Sequence, residues 1–159
     1  MSTFAFCNYI RFLLPTGASV SPVRAYQNFA INESRVYSGI TYAYATFGVA
    51  TGGGTKGGDR GEATLAAAVN AITVNLSAES VKNKWLLEIK TVSLDPLTFR
   101  DTALIRTEVF RVARYEMDNE KLLLKLISPL DAAQGQVPNR YLTTRLVGAL
   151  PSSGTLVVS

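Results

Sequence analysis

The sequence predicts an all-β fold, a β-barrel or sandwich of about six to eight short strands with one short helix. Two observations carry this. Apolar and polar residues alternate with a period of two over several stretches, and clusters of Gly, Pro, Asn, Asp and Ser separate those stretches. At 159 residues the chain has the size of a single domain with an ordinary core.

Residues 4–14 bring Phe4, Phe6, Tyr9, Ile10, Phe12, Leu13 and Leu14 together ahead of Pro15. Such a segment reads either as a first core strand or as an arm that adds to a neighbour's sheet. The arm, about residues 1–15, is the preferred reading. From Ser38 to Phe47 the chain alternates, with Ile40, Tyr42 and Tyr44 on one side and Thr41, Ala43 and Ala45 on the other. Residues 23–31, set off by Asn32-Glu33-Ser34, read as its hairpin partner.

Gly48 to Gly61 follows, with seven glycines in fourteen residues. Its letters contain G-x-G-x-x-G at Gly52, Gly54 and Gly57, but Gly58 stands where a P-loop needs lysine. A dinucleotide fingerprint also needs a helix next, inside a βαβ unit. The sequence that follows reads better as strand. The segment 48–61 is therefore expected to be a long hairpin tip that docks on a partner or projects into a channel.

Residues 64–76 are ambiguous in their alanine-rich first half, and Ile72-Thr-Val-Asn-Leu76 reads as strand. Ser77 to Lys84 fits one or two helical turns with Ser77 as N-cap. Trp85 to Leu94 alternates again, with Trp85, Leu87 and Ile89 inward and Glu88 and Lys90 outward. Asp95-Pro96 turns the chain, and residues 104–115 and 121–128 form two more strands joined at Asp118-Asn119-Glu120.

Charge is sparse and unevenly placed. Charged residues make up 18% of the chain, residues 1–32 carry only Arg11 and Arg24, and residues 132–159 only Arg140 and Arg145. Charge-poor ends suggest surface covered by neighbouring subunits. The formal charge of +4 is mild and no Lys/Arg run exists, so specific nucleic-acid binding is not implied. The start lacks the basic n-region of a signal peptide, and no apolar run has membrane-spanning length, so no membrane insertion is expected.

The chemistry of catalysis is sparse too. The chain has no histidine, and no lysine stands three residues after a serine, which leaves nucleophiles without an evident base. Cys7 is the sole cysteine, so neither an intramolecular disulfide nor a thiolate metal site is expected. Glu88, Asp95, Glu108 and Glu116 alternate with cations as solvated strand residues do, rather than facing each other across a cleft. No enzyme, cofactor or metal is expected.

The stretch from about Lys121 to Gly154 carries a resemblance. Leu122-Leu-Leu-Lys-Leu-Ile-Ser-Pro-Leu-Asp131, then Val137-Pro-Asn-Arg140 and Leu142, resembles the tail-tip proteins of long-tailed bacteriophages, minor tail protein L and related hub or distal-tail proteins. In that family an alternating strand ends in a similar Ser-Pro-x-Asp turn before a basic, proline-preceded segment. Minor tail protein L also carries a cysteine-containing C-terminal domain implicated in binding an iron–sulfur cluster. Here no cysteine follows Cys7, so the resemblance implies the hub-type β-domain alone.

It further implies a structural virion protein assembled in the host cytoplasm, forming a ring at the tail tip, hub or baseplate. The partners would be copies of itself, as a trimer or hexamer, and other tail proteins. DNA would pass the lumen without specific binding. The alternatives are a head–tail connector or tail terminator, or a small nucleic-acid- or sugar-binding module. The expected interface residues are Phe4, Phe6, Ile10 and Phe12 of the arm, Lys56 and Arg60 of the glycine-rich loop, and Arg140, Tyr141, Arg145 and Leu146 of the tail, about residues 132–159. Arg and Tyr are the strongest anchors among them, because these types dominate interface hot spots.

Overall fold

The computed structural model describes residues 5–51 and 62–129. The described residues form an all-β structure that includes a helix. Strands β1 (Ala5–Thr16), β2 (Ser19–Gln27), β3 (Arg35–Tyr37), β4 (Ile40–Tyr44), β5 (Phe47–Thr51) and β6 (Ala63–Ala68) precede helix α1 (Ala71–Lys82). Strands β7 (Leu86–Leu94), β8 (Asp101–Met117) and β9 (Lys121–Ile127) complete it. All nine strands join one open sheet in the order β3-β4-β2-β1-β7-β8-β9-β6-β5.

Turn chemistry sets the hairpins. Gly17, with φ +62°, sits in the two-residue turn between β1 and β2, where Thr16 pairs with Ser19. Ser38 and Gly39 both take positive φ between β3 and β4, as a tight hairpin requires. The partner of β4 in a hairpin is therefore β3, not residues 23–31. Instead β2 meets β4 in parallel, at Tyr26 with Ala43 and Gln27 with Tyr44.

The first eleven described residues of the expected arm belong to the sheet. β1 pairs with β2 on one side and with β7 on the other, which makes it an interior strand. Its even-numbered residues Ile10 and Phe12 enter one apolar cluster, while Cys7 and Tyr9 enter a second on the opposite face. A strand covered on both faces carries a near-continuous apolar run, which explains why it reads like an arm.

The helix expected from Ser77 starts six residues earlier, at Ala71, and takes in the segment that reads as strand. The alanine-rich part is β6, and Ile72 to Leu76 lies in α1. Asn70, not Ser77, is the N-cap: Thr73 N–H donates to Asn70 Oδ1 at 2.9 Å and Asn70 N–H to Thr73 Oγ1 at 3.0 Å. This reciprocal capping box outweighs the weak helix propensity of Ile72, Thr73 and Val74. At the other end Lys84 takes φ +54°, Trp85 N–H donates to Ser80 O at 2.9 Å and Lys84 N–H to Val81 O at 3.3 Å. That is a Schellman stop, with lysine in the place usually held by glycine.

The larger cluster lies between the sheet and α1. Leu87, Ile89, Leu122, Leu124 and Leu126 are almost fully buried there, with Val74, Leu76 and Val81 of the helix against them. Trp85, Leu87 and Ile89 are buried, as their alternation indicates. The buried hydroxyls of Ser77 and Ser80 donate back to Thr73 O and Ser77 O, at 2.7 and 2.8 Å, so the helix packs small polar residues without leaving them unpaired.

Candidate interaction surface

β8 is the element that organises the surface. It spans 17 residues, about three times an ordinary strand. Asp101 to Arg111 pairs with β7, and Arg111 to Met117 pairs with β9, so the two partners overlap only at Arg111. Each half of β8 therefore has one strand neighbour. α1 packs on β8, with Phe110 and Val112 in the same apolar cluster as Val74, Leu76 and Val81, and Val112 N–H donates to Trp85 O at 3.0 Å. Among the described residues no strand pairs with the other edge of residues 101–110.

Exposure follows. Phe110 and Val112 are 6% and 2% exposed, whereas Leu104, Ile105 and Val109 are 50%, 58% and 39% exposed. Between these apolar residues sit Arg106 and Glu108, whose side chains form an ion pair at 3.0 Å. The β7–β8 turn extends the apolar surface with Leu97 and Phe99. Asp95 builds that turn: its carboxylate accepts the N–H groups of Leu97 and Thr98 at 2.8 and 3.1 Å, which holds its pKa below the ordinary value. Phe99 lies in the left-handed region at φ +54°, an unfavourable place for a bulky residue, held by its N–H to Asp95 O at 2.8 Å.

A polar clamp fixes the start of this edge strand to the opposite side of the sheet. Tyr9 Oη donates to Asp101 Oδ1 at 2.9 Å, Arg35 Nε donates to Tyr9 Oη at 2.9 Å, and Arg35 Nη2 reaches Asp101 Oδ1 at 3.1 Å. Arg35 also donates to Phe99 O at 3.0 Å and stacks over the Phe29 ring at 5.7 Å. Burial first, then neighbouring Cys7 and Asp101, pushes the Tyr9 phenol far above its ordinary pKa. Burial also raises the Cys7 thiol and the Tyr42 phenol. Tyr42 Oη is buried without a hydrogen-bond partner. Beside the clamp, Glu88 is flanked by Arg11 at 3.1 Å and Lys90 at 3.5 Å, so these strand charges are largely covered rather than solvated.

A cleft of about 230 Å³ opens on the helix side, lined by Phe12, Tyr26, Tyr44, Phe47, Ile72 and Leu124 among others, with Asn70 and Thr73 at its margin. It holds no titratable constellation. Among the described residues no group of three or more His, Cys, Asp or Glu could hold a metal ion, and no helix is long and apolar enough to cross a membrane.

The expected interface residues fall into three groups. Phe6 is half exposed on β1. Ile10 and Phe12 are core residues, 2% and 1% exposed, and their side chains are not available to a partner; Phe12 packs edge-on against Trp85 at 6.1 Å. Phe4, Lys56, Arg60, Arg140, Tyr141, Arg145 and Leu146 lie outside the described residues. Leu104, Ile105 and Val109 are the surface residues that sequence reasoning missed. No local pattern marks them, because the offset of β7 and β9 along β8 decides their exposure. No family model matches this chain, and no curated protein matches it.

Proposed function

We propose that this chain is a structural component of a bacteriophage tail, forming a ring at the tail tip, hub or baseplate that joins the tail tube to distal proteins. The observation that carries the reading is an all-β sheet that stays open, with outer strands β3 and β5 and a partnerless stretch of β8 among the described residues. Open edges are an aggregation liability unless other chains complete them, and a closed ring completes every heterologous edge. The exposed Leu97, Leu104 and Ile105 give such contacts apolar surface. The ordered succession of residues from Lys121 to Gly154 supplies the phage-tail part of the proposal. In this reading the chain catalyses nothing, and DNA passes the lumen without specific binding.

A head–tail connector or tail terminator is the nearest rival, and labelling the protein in intact particles separates the positions. Mass measurement tests the proposal itself. Rings, or complexes with other virion proteins, are the expected result; a sharp monomer peak that persists when those proteins are added contradicts it.

A further inference from the structure

We infer that the leading half of β8 pairs antiparallel with the same strand of a second copy, across a two-fold axis at Thr107. The inference goes beyond the ring and does not rest on it, because a ring needs heterologous contacts whereas this one is isologous. It rests on the edge of residues 101–110 that no strand among the described residues pairs with, and on the order of residues there, Ile105-Arg106-Thr107-Glu108-Val109.

That order is self-complementary when read antiparallel. With Thr107 opposite Thr107 of the second copy, Arg106 faces Glu108 of the second copy and Glu108 faces Arg106. Ile105 and Val109 face each other in the same way. Every directly opposed pair is then of a favourable kind: hydroxyl with hydroxyl, cation with anion, β-branched with β-branched. Arg106 and Glu108 already form an ion pair within one chain at 3.0 Å, so the paired edges would join four charges into one network. The arginine side chain is 47% exposed and the carboxylate 26%, which leaves both with surface to offer.

The outward N–H and C=O groups of the edge would gain partners at the same time, as in strand addition generally. The register shift between Thr91 and Val92 leaves Ile105 as an extra residue in β8, so the regular stretch is short. A bulge of this kind limits how far an edge can zip. The association is therefore specific in register but modest in strength.

Sedimentation equilibrium of the full chain tests this. The wild type is expected to show a monomer–dimer step. Arg106→Glu and Glu108→Arg each place like charges opposite one another twice, and each is expected to raise the dimer dissociation constant roughly ten- to a hundred-fold. Mixing the two variants in equal amounts puts opposite charges face to face again and is expected to restore the dimer. The double variant R106E/E108R is expected to dimerise by itself, and it keeps the ion pair within the chain. Thermal unfolding of each variant alone separates lost pairing from lost folding, and a misfolded single variant leaves the double variant to decide. A wild type that is monomeric at every concentration, a dimer indifferent to both substitutions, or a mixture that stays monomeric overturns the inference. Dimers with no larger species leave the pairing standing and remove the ring; rings untouched by either substitution do the reverse.

Discussion

The centre of β8 and its leading half share one backbone and meet opposite fates. At Phe110 and Val112 the strand joins the larger apolar cluster that α1 also enters, and beyond them, beside β9, Arg114 to Met117 are exposed again. Before Phe110 its one strand partner among the described residues is β7, and Leu104 and Ile105 stand half in solvent. Hydrophobicity does not separate them, since both mix apolar and charged residues. The neighbour does. Burial in a sheet belongs to the pair of strands, so a strand longer than its neighbours carries its surplus to the surface, where another chain can complete it.

Truncation should divide the two most sharply. Phe110→Ala is expected to cost about 3–5 kcal/mol, the usual range for an emptied aromatic core site, whereas Ile105→Thr in the monomer should stay within about 0.5 kcal/mol. Denaturant unfolding at low protein concentration checks both. Equal losses at the two sites would mean that the leading half is buried by something else.

Next in size is the clamp that anchors the leading half. Asp101→Asn weakens the acceptor shared by Tyr9 and Arg35, and about 1–2 kcal/mol of stability should go with it, at the lower end because both charged groups are partly exposed. The same unfolding measurement reads it. Tyr42→Phe works in the opposite direction. It removes a buried hydroxyl that has no hydrogen-bond partner, and a gain of about 1 kcal/mol is expected.

The smallest effect lies at the turns that bound β8. Asp95 caps the turn before it, and Asp118 accepts Glu120 and Lys121 N–H at 2.8 and 2.7 Å in the turn after it. These backbone hydrogen bonds hold both pKa values below the ordinary one. The stability they contribute is present above the unfolded value of about 4 and is lost as pH falls through the lower folded values. Amide chemical shifts of Leu97, Thr98, Glu120 and Lys121 should move together in that acid range, with midpoints below about 3.9. Midpoints at or above that value would remove the capping role.

How much of this was legible depended on whether one neighbour or several decided an element. Lys121 to Ile127 alternates cleanly, and the structure follows it; Trp85 to Ile89 does the same until the register shift between Thr91 and Val92 moves the buried side to Val92 and Leu94. The turn at Asp118 was equally plain, because a single carboxylate builds it locally. The second half of the helix was legible, but its first half reads as strand because Ile72, Thr73 and Val74 favour strand, although Asn70-Ala-Ile-Thr73 already spelled its cap. β1 was misread because Ile10 and Phe12 serve one face while Cys7 and Tyr9 serve the other, which erases the alternation that marks a strand. The parallel contact of β2 with β4 and the offset of β7 and β9 along β8 are long-range choices that no local pattern records. Hence the open edge at Leu104 to Val109 came from the fold, while its charge order came from the sequence.

Amide hydrogen exchange across residues 102–109, followed from dilute to concentrated protein, addresses the leading half of β8 directly. Alternate amides of this stretch point away from β7; they should exchange freely in dilute solution and gain protection as concentration rises. Equal protection at every concentration would mean that the chain covers this edge itself, and exchange that stays fast throughout would mean that no second copy completes it.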